Sequence, residues 1–172
     1  MRTLVSDPPP PEFEELLELR RRWGADRRDE VWEGVLHMNS APDLSHGDLV
    51  MQLGAALLPG AKAAALRVSD QFNLGQGLSD YRIPDVGLHC ERSGAWLDTA
   101  ALAAEILSPG DESWDKLPFF AAHQVDEVLI LDPAERTVHW LALDERGEYQ
   151  PIERSGLIDL GPAQLAEQLD WP

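Results

Sequence analysis

Two acidic residues and one lysine are the strongest candidates for chemistry in this sequence. Asp85 follows Pro84 inside an apolar stretch, and Glu105 is the only charged residue within residues 100–107. A carboxylate in an apolar segment needs a cation, a metal ion or a proton to offset the cost of burial. Lys116 falls near the start of a predicted helix, where a cation opposes the helix dipole. This placement indicates that the ammonium group faces carboxylates.

Together these residues could hold a hard divalent cation. Asp85 and Glu105 lie on predicted neighbouring strands, and carboxylate oxygens suit Mg²⁺ or Mn²⁺. Lys116 could orient or help deprotonate an attacking water and offset the charge that develops on a phosphate. Each residue also has a simpler interpretation. Asp85 could be solvated at a strand end, Glu105 could face solvent from a helix, and Lys116 could be a flexible surface lysine.

Composition and charge limit the class of protein. A chain of 172 residues with 44% hydrophobic residues suits one globular domain. The formal net charge of −17 argues against a general nucleic-acid coat or a membrane-surface protein. It does not exclude a local basic groove, because salt screens distant charges. The single cysteine, Cys90, predicts neither an internal disulfide nor a cysteine-based zinc site.

No segment of the sequence predicts a signal peptide or a membrane span. The N-terminal residues are polar and proline-rich, and Pro59-Gly60 and Lys62 interrupt the longest apolar region. We therefore expect a cytoplasmic protein. Residues 1–11 are expected to form a flexible lead-in without a packing role, and residues 12–172 a single domain.

The elements that must position the candidates are a mixture of helices and strands. Helices are predicted over residues 12–23, 46–58, 115–123 and 162–169, with Ser45 as a cap and Pro59-Gly60 as a helix end. Strands are predicted over residues 31–38, 66–74, 81–90, 127–132 and 137–143, and weaker ones over 149–154 and 156–160. Residues 100–107 fit either a helix or a buried strand. The fold class is therefore α/β, an α+β mixed sheet with helices packed on it.

A set of short motifs resembles a known family. They are Glu30-Val31-Trp32-Glu33-Gly34-Val35-Leu36, Ser45-His46, Pro84-Asp85-Val86, Glu105-Ile106-Leu107-Ser108-Pro109, Asp115-Lys116 and Val128-Leu129-Ile130-Leu131-Asp132-Pro133. Their order and spacing over residues 12–153 resemble the Uma-type (Uma-two) restriction endonuclease family of the PD-(D/E)XK nuclease superfamily. The resemblance implies a restriction-endonuclease-like core with flanking helices, in which residues 100–107 form a strand.

The resemblance also implies roles for five residues. Asp85 is similar to the metal-binding aspartate of the Pro-Asp motif, and Glu105 to the acidic residue of the second half. Lys116 resembles the catalytic lysine, displaced onto the following helix. Glu30 resembles an acidic residue of the first core strand, and His46 a histidine at the start of the next helix.

The sequence departs from the family pattern in three places. Leu107 occupies the position of the usual lysine, and Phe119-Phe120 replaces an aromatic pair that ends in tyrosine. The segment between Ser108 and Lys116 is shorter than in many relatives. The simple motif is therefore complete only if Lys116 substitutes for the missing lysine.

Two other groups of residues have mainly structural interpretations. The basic residues Arg20, Arg21, Arg22, Arg27 and Arg28 could contact a phosphate backbone, but acidic neighbours favour a solvated helix end. The tryptophans Trp32, Trp96, Trp114 and Trp140 are expected in the core or at a dimer interface.

The leading hypothesis is a metal-dependent phosphodiester hydrolase, most simply a DNA endonuclease. Asp85 and Glu105 would hold Mg²⁺ or Mn²⁺ with Glu30 in support, and Lys116 would assist the attacking water. The alternative is a non-catalytic homodimeric interaction module that retains the nuclease fold. A third possibility is a hydrolase of another phosphate ester, such as a nucleotide or a structured RNA, because the sequence offers no base-reading element.

Overall fold

Two mixed β-sheets and their flanking helices make up the computed structural model, which describes residues 3–5, 11–39, 41–94, 96–110 and 112–172. The helices are α1 (Pro11–Trp23), α2 (Leu44–Ala63), a 3₁₀ helix (Ser113–Lys116), α3 (Leu117–Ala122) and α4 (Pro162–Ala166). The strands are β1 (Thr3–Val5), β2 (Glu30–Trp32), β3 (Val35–Met38), β4 (Arg67–Asp70), β5 (Asn73–Gly75), β6 (Tyr81–Arg82), β7 (Val86–His89), β8 (Trp96–Leu97), β9 (Leu102–Ile106), β10 (Glu127–Asp132), β11 (Thr137–Leu143) and β12 (Tyr149–Pro151). Among the described residues, every helix is too short or too polar to cross a bilayer. The predicted mixed α/β class is confirmed.

The larger part of the core surrounds a sheet in the order β12-β11-β10-β9-β7-β4. Strands β9 and β10 pair in parallel, whereas β7 and β9 are antiparallel. Every residue of β9 is buried, which explains its apolar composition, because a strand covered on both faces needs no polar alternation. Residues 100–107 therefore contain a central strand, and the alternative helix is wrong.

The second sheet has the order β1-β3-β2-β6-β5-β8. The predicted single strand over residues 31–38 is instead a hairpin of β2 and β3. Its turn residues Glu33 and Gly34 have φ values of 49° and 84°, the combination that a two-residue turn requires to match the strand twist. The hairpin pairs Glu30 with His37.

Part of the predicted N-terminal lead-in belongs to this sheet. Thr3–Val5 pair antiparallel with Leu36–Met38 on β3. These three residues satisfy backbone groups at the sheet edge, so the expectation of a segment without a packing role is wrong for them. Pro8 to Pro10 lie outside the described residues.

Helix α2 is longer than predicted at both ends. Asp43, not Ser45, caps it, because the carboxylate of Asp43 accepts the backbone N–H of His46 at 2.8 Å. The helix passes through Pro59 and ends at Ala63. Tertiary packing outweighs the helix-breaking signal, since Ala61 is fully buried and Gly60 lies against Ile158.

The strands predicted over residues 66–74 and 81–90 are both interrupted. Gln71 has a left-handed backbone with a φ of 47°, which separates β4 from β5. Residues 83–85 separate β6 from β7, as expected beside Pro84, because proline cannot donate to a sheet ladder. These two breaks place Gln71 and Asp85 where their side chains do not follow the strand alternation.

The other differences are near the C-terminus. The helix predicted over residues 115–123 is divided into a 3₁₀ turn and α3, and the final helix ends at Ala166. Residues 156–160 form no strand, because their backbone N–H groups bond to side chains instead of to a neighbouring strand. The N–H of Gly156 donates to Glu127, and that of Leu157 donates to Ser155. The hairpin of β10 and β11 is confirmed.

The close contact at Gly87 makes a first prediction. A Cβ at this position would lie 2.4 Å from the ring of Phe72 and 3.0 Å from the carbonyl oxygen of Leu102. We expect Gly87→Ala to lower the free energy of unfolding by about 1–3 kcal/mol, as overpacking does. Urea denaturation would measure this loss.

The matched control is Gly47→Ala on helix α2, where a Cβ meets no atom within 4 Å. This change should leave stability unaltered or raise it by about 0.5–1 kcal/mol, because alanine favours a helix over glycine. Equal unfolding free energies for the two variants would show that Gly87 is not tightly packed.

Candidate active site

One pocket of about 540 Å³ brings together the five side chains selected from the sequence. They are Glu30, His46, Asp85, Glu105 and Lys116. They come from five different parts of the chain: strand β2, the first turn of α2, the break before β7, strand β9, and the 3₁₀ helix. The structure thus places them around one void, as the sequence analysis expected. Their chemical roles stay predictions.

Lys116 joins two of the acidic residues. Its Nζ donates to Oε1 of Glu30 and to Oε2 of Glu105, each at 2.9 Å. The lysine is 8% exposed, so the ion pairs are shielded from water. Burial alone lowers the pKa of Lys116, but the charges of Glu105 and Glu30 outweigh it and raise the pKa. The ammonium therefore stays protonated at neutral pH.

Glu105 lies on the buried strand β9 and is only partly satisfied. Its Oε2 accepts from Lys116, whereas its Oε1 is buried and has no hydrogen-bond partner among the described residues. Burial raises the pKa of the Glu105 carboxyl well above its usual value, although the charge of Lys116 opposes the shift. A buried carboxylate oxygen without a donor is costly and indicates a place for a further cationic or hydrogen-bonding group.

Asp85 is held by its neighbours on β9 and α2. Its backbone N–H donates to Ala104, and its Oδ2 accepts the N–H of Ile106 at 2.9 Å. Its Oδ1 lies 3.0 Å from Nε2 of His46. The hydrogen bond to Asp85 raises the pKa of His46, against the opposing effect of burial.

Glu30 is fixed by neutral donors as well as by the lysine. The backbone N–H of Ile83 donates to its Oε1 at 2.7 Å, and the indole N–H of Trp32 donates to its Oε2 at 2.8 Å. Arg82 stacks beside this group, with its guanidinium carbon 4.4 Å from the Trp32 ring centre and 4.1 Å from that of Phe119. These contacts fix the carboxylate that holds Lys116.

Sequence reasoning missed the part that Trp32 plays. We expected Trp32 in the core or at a dimer interface, but it lines the pocket and supports Glu30. The two residues are separated by one position on a strand, so their side chains share a face. This alternation was the signal available. Of the other tryptophans, Trp140 is buried, whereas Trp96 and Trp114 are 38% and 42% exposed.

The basic cluster after α1 also divides. Arg21, Arg22 and Arg27 are exposed, as a solvated helix end requires. Arg20 instead pairs with buried Asp29, and Arg28 lines the pocket. The expectation of a solvated end is therefore wrong for Arg20 and Arg28, because the chain turns back toward β2 after α1.

The oxygen donors fit a hard divalent cation. Asp85 and Glu105 offer carboxylate oxygens to the same pocket, and no donor among the described residues reaches Oε1 of Glu105. In the described ranges, no three His, Cys, Asp or Glu side chains are grouped to hold a metal ion. Magnesium often binds through one or two carboxylates and completes its shell with water and substrate phosphate. The residues present fit a site of this two-carboxylate kind.

The lysine at the centre of this network provides a second prediction. Lys116→Met removes the ammonium and leaves two buried carboxylates without a cation, so we expect a loss of about 3–5 kcal/mol in unfolding free energy. Burial raises the pKa of Glu105, and the charge that opposes the shift is gone in the variant. A carboxyl group whose pKa is higher in the folded than in the unfolded state binds a proton more tightly when folded, so its contribution to the unfolding free energy falls as pH rises. The destabilisation should therefore be larger at pH 8 than at pH 5.

Denaturant unfolding at both pH values would measure this effect. Lys62→Met is the matched control, because Lys62 is the other lysine of the sequence and is exposed on α2. Its effect should stay within about 0.5 kcal/mol. A Lys116→Met protein as stable as this control would refute the structural importance of the ion pairs.

Two comparisons with known proteins give matches. A family model described as "Uma2: Putative restriction endonuclease" matches residues 11–169. A solved structure of a putative nuclease belonging to DUF820 from Anabaena variabilis superposes with a TM-score of 0.60 and 16% sequence identity, over 81% of this chain and 90% of that chain. This likeness shows a shared fold. A comparison with curated proteins gives no match. The family match confirms the resemblance inferred from the motifs, and the chain belongs to the Uma2 family of putative restriction endonucleases.

Proposed function

We propose that the protein is a metal-dependent phosphodiester hydrolase, a DNA endonuclease of the PD-(D/E)XK type. One observation carries this proposal. Oε1 of Glu105 is buried and accepts no hydrogen bond from the described residues, while the same side chain lines a pocket with Asp85 and accepts from Lys116 through its other oxygen. Family membership supports a nuclease, and the geometry supports the choice of catalytic group.

Asp85 and Glu105 would hold Mg²⁺ or Mn²⁺. When bound, such an ion makes water more acidic and offsets negative charge on a phosphate. The protein supplies the rigidity that this chemistry needs. The backbone N–H of Ile106 and the imidazole of His46 fix both oxygens of Asp85, so that its carboxylate cannot rotate freely.

Lys116 would act as a charged donor. Its ammonium group has three N–H bonds, and two of them are used by Glu30 and Glu105. The third remains available for the attacking water or a non-bridging phosphate oxygen. The raised pKa of Lys116, caused by the two carboxylates against the effect of burial, favours stabilisation of negative charge over proton abstraction by this residue.

The position of Lys116 supports the displaced-lysine version of the motif. Leu107, two residues after Glu105, is apolar and cannot serve. Lys116 reaches the same carboxylate from the 3₁₀ helix at 2.9 Å. Glu30 would then be a positioning residue, because its Oε1 accepts a second hydrogen bond from the same ammonium.

His46 would be a second positioning residue. It lies in the first turn of α2, where the Asp43 cap accepts its backbone N–H. Its imidazole contacts Asp85, so that the position of the helix determines the orientation of the aspartate.

The cytoplasmic location, the homodimeric state and the single domain over residues 12–172 stay predictions.

Cleavage of supercoiled plasmid in the presence of Mn²⁺ or Mg²⁺ tests the proposed activity. We expect Asp85→Asn and Lys116→Arg each to reduce the cleavage rate by about 100-fold or more, because one removes a charged ligand and the other replaces a compact ammonium with a planar group. Chelation of the metal should abolish cleavage by the wild type.

The matched controls are Asp48→Asn and Lys62→Arg, which make the same chemical changes at exposed positions on α2. Both should cleave at the wild-type rate. Cleavage that survives in Asp85→Asn and Lys116→Arg would discard this mechanism.

Metal binding gives a separate prediction. Mn²⁺ at about 100 times its dissociation constant should raise the unfolding free energy of the wild type by about 2.7 kcal/mol, and Asp85→Asn should lose most of this gain. Calorimetric titration and thermal unfolding would measure both quantities. Absence of binding at millimolar metal would instead favour the non-catalytic module with a nuclease fold.

A further inference from the structure

Arg28 differs from the other cations in and around the pocket. Lys116 is neutralised by two carboxylates, whereas no carboxylate among the described residues forms an ion pair with Arg28. Two arginines nearby in the fold are also engaged, since Arg20 pairs with Asp29 and Arg82 with Asp80. The pocket wall therefore contains one half-buried guanidinium whose charge is not compensated within this part of the protein.

The partner of Arg28 is a neutral side chain. The amide orientation that satisfies both groups turns Oε1 of Gln71 toward the guanidinium, where it accepts from Nη1 at 3.2 Å and from Nη2. A guanidinium group has five N–H bonds, so three remain available. Because an amide carries no charge, this contact orients Arg28 without neutralising it.

The backbone on both sides of this pair is fixed. The carbonyl of Arg28 accepts from the side chain of Asn39 at 2.8 Å. Gln71 has a left-handed φ of 47°, which a non-glycine residue adopts only when its surroundings enforce it. The ring of the next residue, Phe72, packs closely over Gly87 and anchors the strained turn. The protein thus maintains an unfavourable backbone conformation that directs Gln71 to the pocket.

The pocket lining carries more negative than positive side chains. It contains five carboxylates and two cationic side chains, so the pocket itself repels an anion. The carboxylates are Glu30, Asp43, Asp85, Glu105 and Glu112. Its volume of about 540 Å³ lies within the range of ligand sites. A polyanion needs positive charge to enter such a pocket, and the ammonium of Lys116 is shared with two carboxylates, so a further cation is needed.

We propose that Arg28, oriented by Gln71, forms a phosphate-binding subsite that takes a non-scissile phosphate of the DNA backbone. This inference rests on the proposed function. The planar guanidinium can donate two parallel hydrogen bonds to one phosphate, which fixes both the position and the direction of the strand. Arg28 would therefore position the adjoining phosphodiester over Asp85 and Glu105, while those residues perform the chemistry.

Substitution of Arg28 separates binding from chemistry. In Arg28→Gln we expect the KM for DNA to rise about 10-fold and kcat to change less than about threefold, because the residue contacts a phosphate that does not react. Fluorescence anisotropy of a labelled DNA duplex with Ca²⁺, between 50 and 200 mM salt, should show a salt slope reduced by about one. Arg28→Lys should bind DNA more tightly than Arg28→Gln but less tightly than the wild type, since lysine keeps the charge but cannot donate two parallel hydrogen bonds to one phosphate.

The matched control is Arg27→Gln, which removes the same charge from the exposed neighbour. Its KM and salt slope should stay close to those of the wild type. If the wild type cleaves DNA and Arg28→Gln behaves like Arg27→Gln, the subsite is wrong and the hydrolase proposal stands. If DNA binding depends on Arg28 but no metal supports cleavage, the subsite stands and the hydrolase proposal fails. A wild type that does not bind DNA overturns both.

Discussion

The site depends on the buried ion pairs that Lys116 forms with Glu30 and Glu105. The lysine joins Glu30 at the start of β2 to Glu105 within β9, and it does so from the 3₁₀ helix before α3. Two buried carboxylates without a cation would repel each other and resist ionisation. Glu30 is 86 positions away from Lys116 in the sequence, so the full network forms only when the two sheets and the 3₁₀ helix have reached their final positions. Formation of the site and completion of the fold are therefore coupled.

A comparison of two buried glutamates shows what sets Glu105 apart. Glu127, at the start of the neighbouring strand β10, accepts from Trp140, Ser155 and the backbone of Gly156. Neutral donors satisfy both of its oxygens, and the result is a structural link to the C-terminal segment. Within the described part of the chain, Glu105 has a charged donor on one oxygen and none on the other. The fold thus satisfies the buried carboxylate of Glu127 completely and leaves that of Glu105, which lines the pocket, partly unsatisfied.

The sequence predicted what depends on local pattern and missed what depends on tertiary contact. The residue patterns of β10 and β11 were enough to predict strands, and an isolated charge within residues 100–107 was enough to select Glu105. The apolar run of β9 fitted a helix equally well, and only the family resemblance implied a strand there. The end of α2 was mispredicted because Gly60 packs against Ile158, which lies far away in the chain. The hairpin of β2 and β3 was missed because residue types alone did not show that Glu33 takes a positive φ. Trp32 and Arg28 were assigned to other surroundings, because their positions follow from how the hairpin and the chain after α1 fold back.

The net charge of −17 argues against a general nucleic-acid coat, but total charge is a poor guide to what a single pocket binds. Exposed charges beyond about 8 Å are screened at physiological salt, so the groups in the pocket dominate what a ligand meets there. Within that pocket, Glu30 and Glu105 share the ammonium of Lys116, and Asp85 contacts His46. The side-chain partner of Arg28 is an amide, so the guanidinium is oriented without an opposing charge. Attraction for a phosphate therefore depends on which charges have already been paired by folding, and an acidic protein can bind a polyanion through a few cations that folding leaves unpaired.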